Sequence, residues 1–338
     1  MTVEGPPVEA VRLLNGFRGY QLAVAACRLK LPDLVAAGIG EAEALATQTG
    51  THEPSLRRVL RGLAAWGFFA EGQDGRFRPT AVSDAFRSDR PGLRNMTLML
   101  SHEAYESWGE LMHALQDGQP VFERLYGKSR WEKMAEDPED AAHFNAAMVE
   151  TTKRVGKSFI AAYDFRGIRT VVDVGGGNGA LLAAVLGAHP ELNGVLFDLP
   201  AGLAGAESAL KSAGVAGRAR VVEGSFFESV PSGSDLYLLK SIVHDWDDEH
   251  ALKILQACRT AMGPDARLVV VERLLPETGV DGDHALGTLM SDLHMMVVLG
   301  GRERTTAEYA SLFAQAGLRM THPIAMASDF YAIEAVPV

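Results

Sequence analysis

The sequence predicts an α/β protein in which a mostly parallel sheet, covered by helices, follows a mainly helical N-terminal region. Three observations carry that prediction. From Thr170 onward short apolar runs alternate with helical segments, the first of these runs ends in a turn of nearly continuous glycine, and the chain before it shows helical periodicity with a single hairpin signal. Apolar strands that alternate with helices specify a sheet buried on both faces.

The elements follow in chain order. Val8 to Ala37 reads as helical, with Val11, Leu14, Leu22, Val24, Leu31 and Leu34 on a face interrupted by Pro32. Next come a helix, a turn at Gly50, a second helix from Ser55 to Trp66, and a hairpin turning at Asp74 and Gly75, which together have the outline of a winged helix. Gly92 to Leu115 and Ala141 to Ala162 read as two long helices joined by turns. The strands beyond are TVVDV, NGVLFDL, ARVVEG, SDLYLLK and ARLVVVER, with LRMTHPIAMAS and FYAIEAVP as a closing hairpin. The expected layout is an N-terminal domain over residues 1–90, a helical linker over 91–162 and a ligand-binding α/β domain over 163–338.

Composition narrows the function classes. A 338-residue chain with 47% hydrophobic content can bury a large core, and its formal charge of −11 disfavours phosphate backbones and anionic membranes. The second helix of the winged unit carries Arg57, Arg58 and Arg61, yet acids and bases balance between Glu41 and Arg78, so a duplex-reading face is not expected. Packing or dimerisation is the expected use of that unit. Cys27 and Cys258 are too few for a disulfide framework or a Cys-rich zinc site. The N-terminus lacks a cationic segment followed by an apolar run, and no uncharged stretch approaches the ~20 residues of a membrane span, so a cytoplasmic protein is expected.

The turn VVDVGGGNGA, Val171 to Ala180, marks a nucleotide-like ligand. Gly175, Gly177 and Ala180 fit the dinucleotide spacing, and Asp198 lies about 20 residues on, where it can bond ribose hydroxyls, so the turn alone suits NAD as well. Asp173 discriminates. A carboxylate two residues before the first glycine is poor company for a pyrophosphate and good company for a cation. S-adenosylmethionine has an adenosine for Asp198, a cationic sulfonium and ammonium, and no phosphate. Further on, Ser225 and Phe226 stand where adenine would lie, and Lys240, His244, Asp245 and Trp246 follow the fourth strand. Trp246 suits a purine face, and suits equally the anchoring of a helix that begins near Asp247.

Taken in order, VVDVGGGNGA, LFDLP, EGSFFESVP, LLKSIVHDWDDEHALKIL, VVVERLLPE and GGRERT resemble the S-adenosylmethionine-dependent O-methyltransferases typified by plant caffeic acid methyltransferases and by tailoring enzymes of bacterial aromatic natural products. The resemblance covers essentially the whole chain. It implies a Rossmann-like class I methyltransferase sheet and an N-terminal winged-helix dimerisation domain, hence a homodimer. It implies a donor site built from Asp173, Gly175, Gly177 and Gly179, from Asp198 and Leu199, from Ser225 and Phe226, and from Lys240, Ser241 and Trp246. Many members have Asp where this chain has Ser225.

Methyl transfer to a phenol needs a base, because a hydroxyl of pKa ~10 is ionised to only about one part in a thousand at pH 7. The resemblance assigns His244 as that base, flanked by Glu272 and Glu303, without a metal, releasing S-adenosyl-L-homocysteine. His244 lies just past the carboxyl end of the fourth strand, where ligands bind in open parallel sheets. Asp245 is accounted for by helix N-terminal electrostatics, together with Asp247 and Asp248. Phe144 and Met148 share a helix face, and with Met290, Leu293 and His294 they are the expected lining for a small aromatic acceptor. Two other readings remain open: a relative that binds S-adenosylmethionine but acts as a hydroxylase, decarboxylase or pericyclase, and a winged-helix regulator on DNA.

Overall fold

A computed structural model describes residues 6–277 and 283–338. The described residues fall into two compact units, one within 6–106 and 139–150, the other within 107–138, 151–277 and 283–338.

In the first unit the helix Val8–Arg28 ends where Lys30 turns left-handed at φ 52°, and a new helix, Leu31–Ala36, starts there. Pro32 lies in its first turn. It thus begins a helix and does not interrupt one, since a missing N–H costs nothing in a first turn. The helices Ala42–Thr49 and Glu53–Ala65 lead into two short antiparallel strands, β1 (Phe69–Glu71) and β2 (Phe77–Pro79). Their shared core holds Leu31, Leu45, Leu60, Leu63, Phe69 and Phe77. The first helix, by contrast, leaves Val8, Leu13, Leu14 and Phe17 exposed.

The long helix expected from Gly92 to Leu115 is instead three short ones, Arg94–Met99, Glu103–Gly109 and Leu111–Asp117. Ser101 bonds its hydroxyl to the Leu98 carbonyl, an alternative to helix propagation, and Gly109 is a weak helix former.

The second unit carries β3 (Thr170–Val174), β4 (Asn193–Asp198), β5 (Ala219–Glu223), β6 (Leu236–Lys240), β7 (Arg267–Glu272), β8 (Leu318–Ala325) and β9 (Tyr331–Pro337). Among the described residues they form a seven-stranded sheet of order β5-β4-β3-β6-β7-β9-β8, parallel except for β9 against both β7 and β8. Alternation explains why both faces bury. Val171, Leu196, Leu238 and Val269 face one core, and Val172, Phe197, Leu239 and Val270 face the other. Strands β4 and β5 are laid down on one side of β3 and strands β6 and β7 on the other, and this switch in strand order between β3 and β6 opens a crevice at their carboxyl ends, the usual place for a ligand. Among the described residues no helix is long and apolar enough to cross a membrane.

Candidate active site

The glycine turn leaves β3 at that crevice. A side chain at Gly175, where φ is 69°, would meet the Ile242 side chain at 2.6 Å, and one at Gly176 would meet Leu196 and the Asp173 carboxyl at 2.5–2.6 Å. Gly177 is also left-handed, at φ 57°, while the space beside it is open. Gly179 turns the chain into the helix Ala180–Ala188.

The direction of the loop amides separates the two cofactor readings. Gly175 and Gly176 donate to the Phe197 carbonyl, Gly177 donates to Asp198 Oδ2 at 2.7 Å, and Ala180 donates to Asn178 Oδ1. A pyrophosphate site needs such amides free to face the ligand. Here they are consumed by the protein, and the stretch from Val171 to Ala180 contains no Lys or Arg. Asp198 also accepts the Leu199 amide through Oδ1 at 2.7 Å, so its carboxylate is held with lone pairs remaining for a diol. An uncharged adenosine with a cationic tail fits this donor set better than a dinucleotide.

Asp173 is not displayed on the turn. It is buried beneath Gly176, its Oδ2 has no hydrogen-bond partner, and burial pushes its carboxyl up to about 7 against the pull of Lys240. Lys240 is itself lowered to about 8 by burial, and it donates to the Thr152 hydroxyl. Asp173 therefore lies behind the loop, electrostatically coupled to Lys240. Beyond β5, Ser225 Oγ accepts the Phe227 amide, and the rings of Phe226, Phe227, Trp246 and His250 form a cluster that is edge-to-face except for the tilted Trp246–His250 pair. Trp246 also packs on the sheet core, while Asp247 caps the helix Asp248–Ala261, as the anchoring reading of the tryptophan expects.

His244 lies in a 3₁₀ turn, Val243–Asp245, directly after β6. Ser241 enters that turn left-handed, at φ 54°, a conformation a non-glycine residue adopts only under constraint. The constraint is Glu272. Its Oε1 accepts the amides of Ile242, Val243 and His244 at 3.0, 2.7 and 3.1 Å, and its Oε2 accepts the Tyr309 hydroxyl. The two flanking glutamates thus differ: Glu272 grips the backbone of the turn, whereas Glu303 Oε1 meets His244 Nδ1 at 2.9 Å. Ser291 donates to the same Glu303 oxygen at 2.7 Å.

The segment GGRERT is a clamp on the turn. A side chain at Gly301 would stand 2.1 Å from the His244 carbonyl oxygen, so the two backbones touch there. Arg302 donates its amide to that carbonyl, and Arg304, 1% exposed, donates to the Val243 and Trp246 carbonyls and to Asp248.

Asp245 joins the site, which corrects its assignment to helix electrostatics alone. It is buried, with Oδ1 3.4 Å from His244 Nε2, and burial raises its carboxyl to about 7. Burial by itself favours a neutral His244, but Glu303, Glu272 and Asp245 outweigh it and raise the ring to about 9. Burial would likewise raise Glu303, yet His244 and Ser291 keep it below its ordinary range. One ligand atom each from His244, Glu272 and Glu303 lies within 4.8 Å of the others, a spacing a cation could bridge. Glu272 Oε1 and Glu303 Oε1 are already engaged in hydrogen bonds, whereas Glu303 Oε2 is buried without a hydrogen-bond partner.

Of the expected acceptor residues, Leu293 and His294 are half-buried on the helix Asp283–His294, and Met290 is exposed there. Phe144 and Met148 lie on the helix Pro138–Ala162, in the part that belongs to the first unit. Sequence reading missed Tyr309, Ser291 and Gly301. Only Gly301 left a signal, as a doubled glycine ahead of Glu303.

Comparison with known proteins agrees with this geometry. Residues 108–319 match a model of the O-methyltransferase domain, and residues 11–89 match the O-methyltransferase dimerisation domain. The chain is 38% identical to the phenazine O-methyltransferase PhzM of Lysobacter antibioticus over 97% of its own length and 95% of that protein's. It is 39% identical to the O-demethylpuromycin-O-methyltransferase of Streptomyces alboniger, over 99% and 90%. The crystal structure of NcsB1, an O-methyltransferase from neocarzinostatin biosynthesis in complex with S-adenosylmethionine and 2-hydroxy-5-methyl naphthoic acid, superposes with a TM-score of 0.84 at 34% identity, covering 94% of this chain and 96% of that one. The aclacinomycin 10-hydroxylase RdmB of Streptomyces purpurascens is also similar, at 35% identity over 87% and 80%. Matched by both domain models and alike over nearly its full length to named methyltransferases, this chain belongs to the O-methyltransferase family.

Proposed function

We propose that the protein moves the methyl group of S-adenosylmethionine to a hydroxyl of a small aromatic acceptor of natural-product type, with His244 as general base. The observation that carries this reading is the buried His244–Glu303 pair at the carboxyl end of β6, beside a glycine turn whose amides are spent within the protein. Bound at that turn through Asp198 and the ring cluster of Phe226 and Trp246, S-adenosylmethionine supplies a methyl group on a sulfonium, ready for in-line displacement.

The chain's own residues supply the rest. With Nδ1–H donated to Glu303, the lone pair of neutral His244 resides on Nε2, which takes the acceptor's hydroxyl proton as the new O–CH₃ bond forms and the S–CH₃ bond breaks. Glu303 stabilises the resulting imidazolium. A ring raised to about 9 is close in basicity to a phenol of pKa ~10, so the proton transfer runs nearly uphill-free. In this reading residues 1–90 pair two copies, through the exposed Val8, Leu13, Leu14 and Phe17 of the first helix, residues 91–162 contribute to the acceptor site, and residues 163–338 hold the donor.

A second reading, in which the same fold assists a hydroxylation without methyl transfer, draws on the resemblance to the hydroxylase RdmB. The complete base and carboxylate set supports methylation instead. The test is incubation with methyl-labelled S-adenosylmethionine and a panel of phenols, naphthols, quinones and indoles. Labelled product with equimolar S-adenosylhomocysteine is expected; acceptor consumption without it would favour the second reading.

A further inference from the structure

The surroundings of His294 deepen the proposed function, and rest on it, by specifying what the acceptor carries beside its hydroxyl. Trp108, on the helix Glu103–Gly109, hydrogen-bonds through its indole N–H to Nδ1 of His294 at 3.2 Å. An indole nitrogen only donates, so the bond can form in one direction. Nδ1 is then the unprotonated nitrogen, and the proton of the neutral ring resides on Nε2. Charge agrees: burial, then Arg130, then His244 hold the ring neutral, lowering it to about 4. A ring that neither gains a proton nor exchanges tautomers presents one permanent N–H donor.

The position of that donor is informative. His294 ends its helix, and the following turn, Met295–Leu299, is π-helical before Gly300 at φ 76°. Such turns are uncommon and concentrate at functional sites. This one packs against Val243–Asp245. One turn earlier on the same helix, Ser291 bonds the Glu303 oxygen that orients His244. His294 thus stands one helical turn from the group that sets the base, and it keeps accessible surface.

We propose that His294 selects the acceptor: its Nε2–H receives a hydrogen-bond-accepting atom, a carbonyl oxygen or an aromatic ring nitrogen, placed ortho or peri to the hydroxyl that His244 deprotonates. An acceptor without that atom forfeits this hydrogen bond, and sites built around a hydrogen bond discriminate against such analogues.

Calorimetric binding of 1-hydroxyanthraquinone and 1-hydroxyanthracene, without any methyl donor, tests this. Both carry the same hydroxyl on three fused rings, and only the first has a peri carbonyl. The wild-type protein should bind the quinone at least about tenfold more tightly, and His294→Phe should lose that preference while still binding the anthracene. Equal affinities in the wild type, no binding of either compound, or an unchanged preference in His294→Phe would overturn the proposal. Because binding is read without methyl transfer, failure of the methylation reading shows separately, as absent S-adenosylhomocysteine. Long-range ¹H–¹⁵N spectra of ¹⁵N-histidine protein give a second measurement: His294 should hold the Nε2–H tautomer with no titration between pH 5 and 8, and Trp108→Phe should release it into a tautomer mixture. An Nδ1–H tautomer or a titration near the ordinary histidine value in the wild type contradicts the proposal.

Discussion

The glycine turn at Val171–Ala180 and the histidine turn at Val243–Asp245 lie at the same sheet edge but are held in opposite ways. The first is largely self-contained: its glycines, Asn178 and nearby Asp198 bond to one another or to the adjoining strand. The second is gripped from afar, by Glu272 on the next strand and by Gly301 to Arg304, about 60 residues on in the chain. A self-contained turn can be read as a motif. A turn built by remote partners becomes legible only when the fold assembles them.

Substitutions in the two turns should therefore separate kinetically. The largest effect belongs to His244→Ala, expected to lower kcat by about 10²- to 10⁴-fold while S-adenosylmethionine affinity, measured by calorimetry, stays within about twofold. Unchanged turnover would remove His244 from the chemistry. Gly301→Ala comes next. It places a methyl group against the His244 carbonyl and should cost about 10²-fold in kcat through displacement of the turn, again with little change in donor affinity.

Glu303→Gln should cost about tenfold or more near neutrality and also move the pH profile. With His244 in the proposed role, the wild-type rate should climb with pH toward about 9, because a general base must be neutral and the surrounding carboxylates keep the proton on the ring. Removing the Glu303 charge lowers the ring's affinity for that proton, so the rising limb should shift to lower pH; a limb that stays in place would show that another group governs it. The smallest effect is expected on the donor side, where Asp198→Asn should weaken S-adenosylmethionine about tenfold and leave kcat at saturating donor nearly intact.

The succession of strands along the chain, the closing hairpin and the glycine turn were readable because local rules govern them: short continuous apolar runs, glycine spacing, and an acid at the end of β4. His244 and Glu303 were readable as residues, since both sit in recognisable segments, yet the difference between Glu303 and Glu272 was not. Both are fully buried carboxylates beside the histidine, and only the fold shows that one bonds the imidazole while the other collects three amides. Asp245 was misread for a related reason, as Asp247 and Asp248 made a sufficient local explanation. The break of the predicted Gly92–Leu115 helix also escaped sequence reading, because the Ser101 hydroxyl bond that ends its first segment leaves no mark in the apolar pattern.

The grip on the histidine turn has an evolutionary consequence. Glu272, Tyr309, Gly301 and Arg304 hold the turn through its main chain and its base through few side chains. On the proposed roles, mutation elsewhere along Asp283–His294 can then remodel what is recognised while the His244 ring stays where it is. A lineage built this way can explore new metabolites one side chain at a time, without rebuilding its reactive centre at each step.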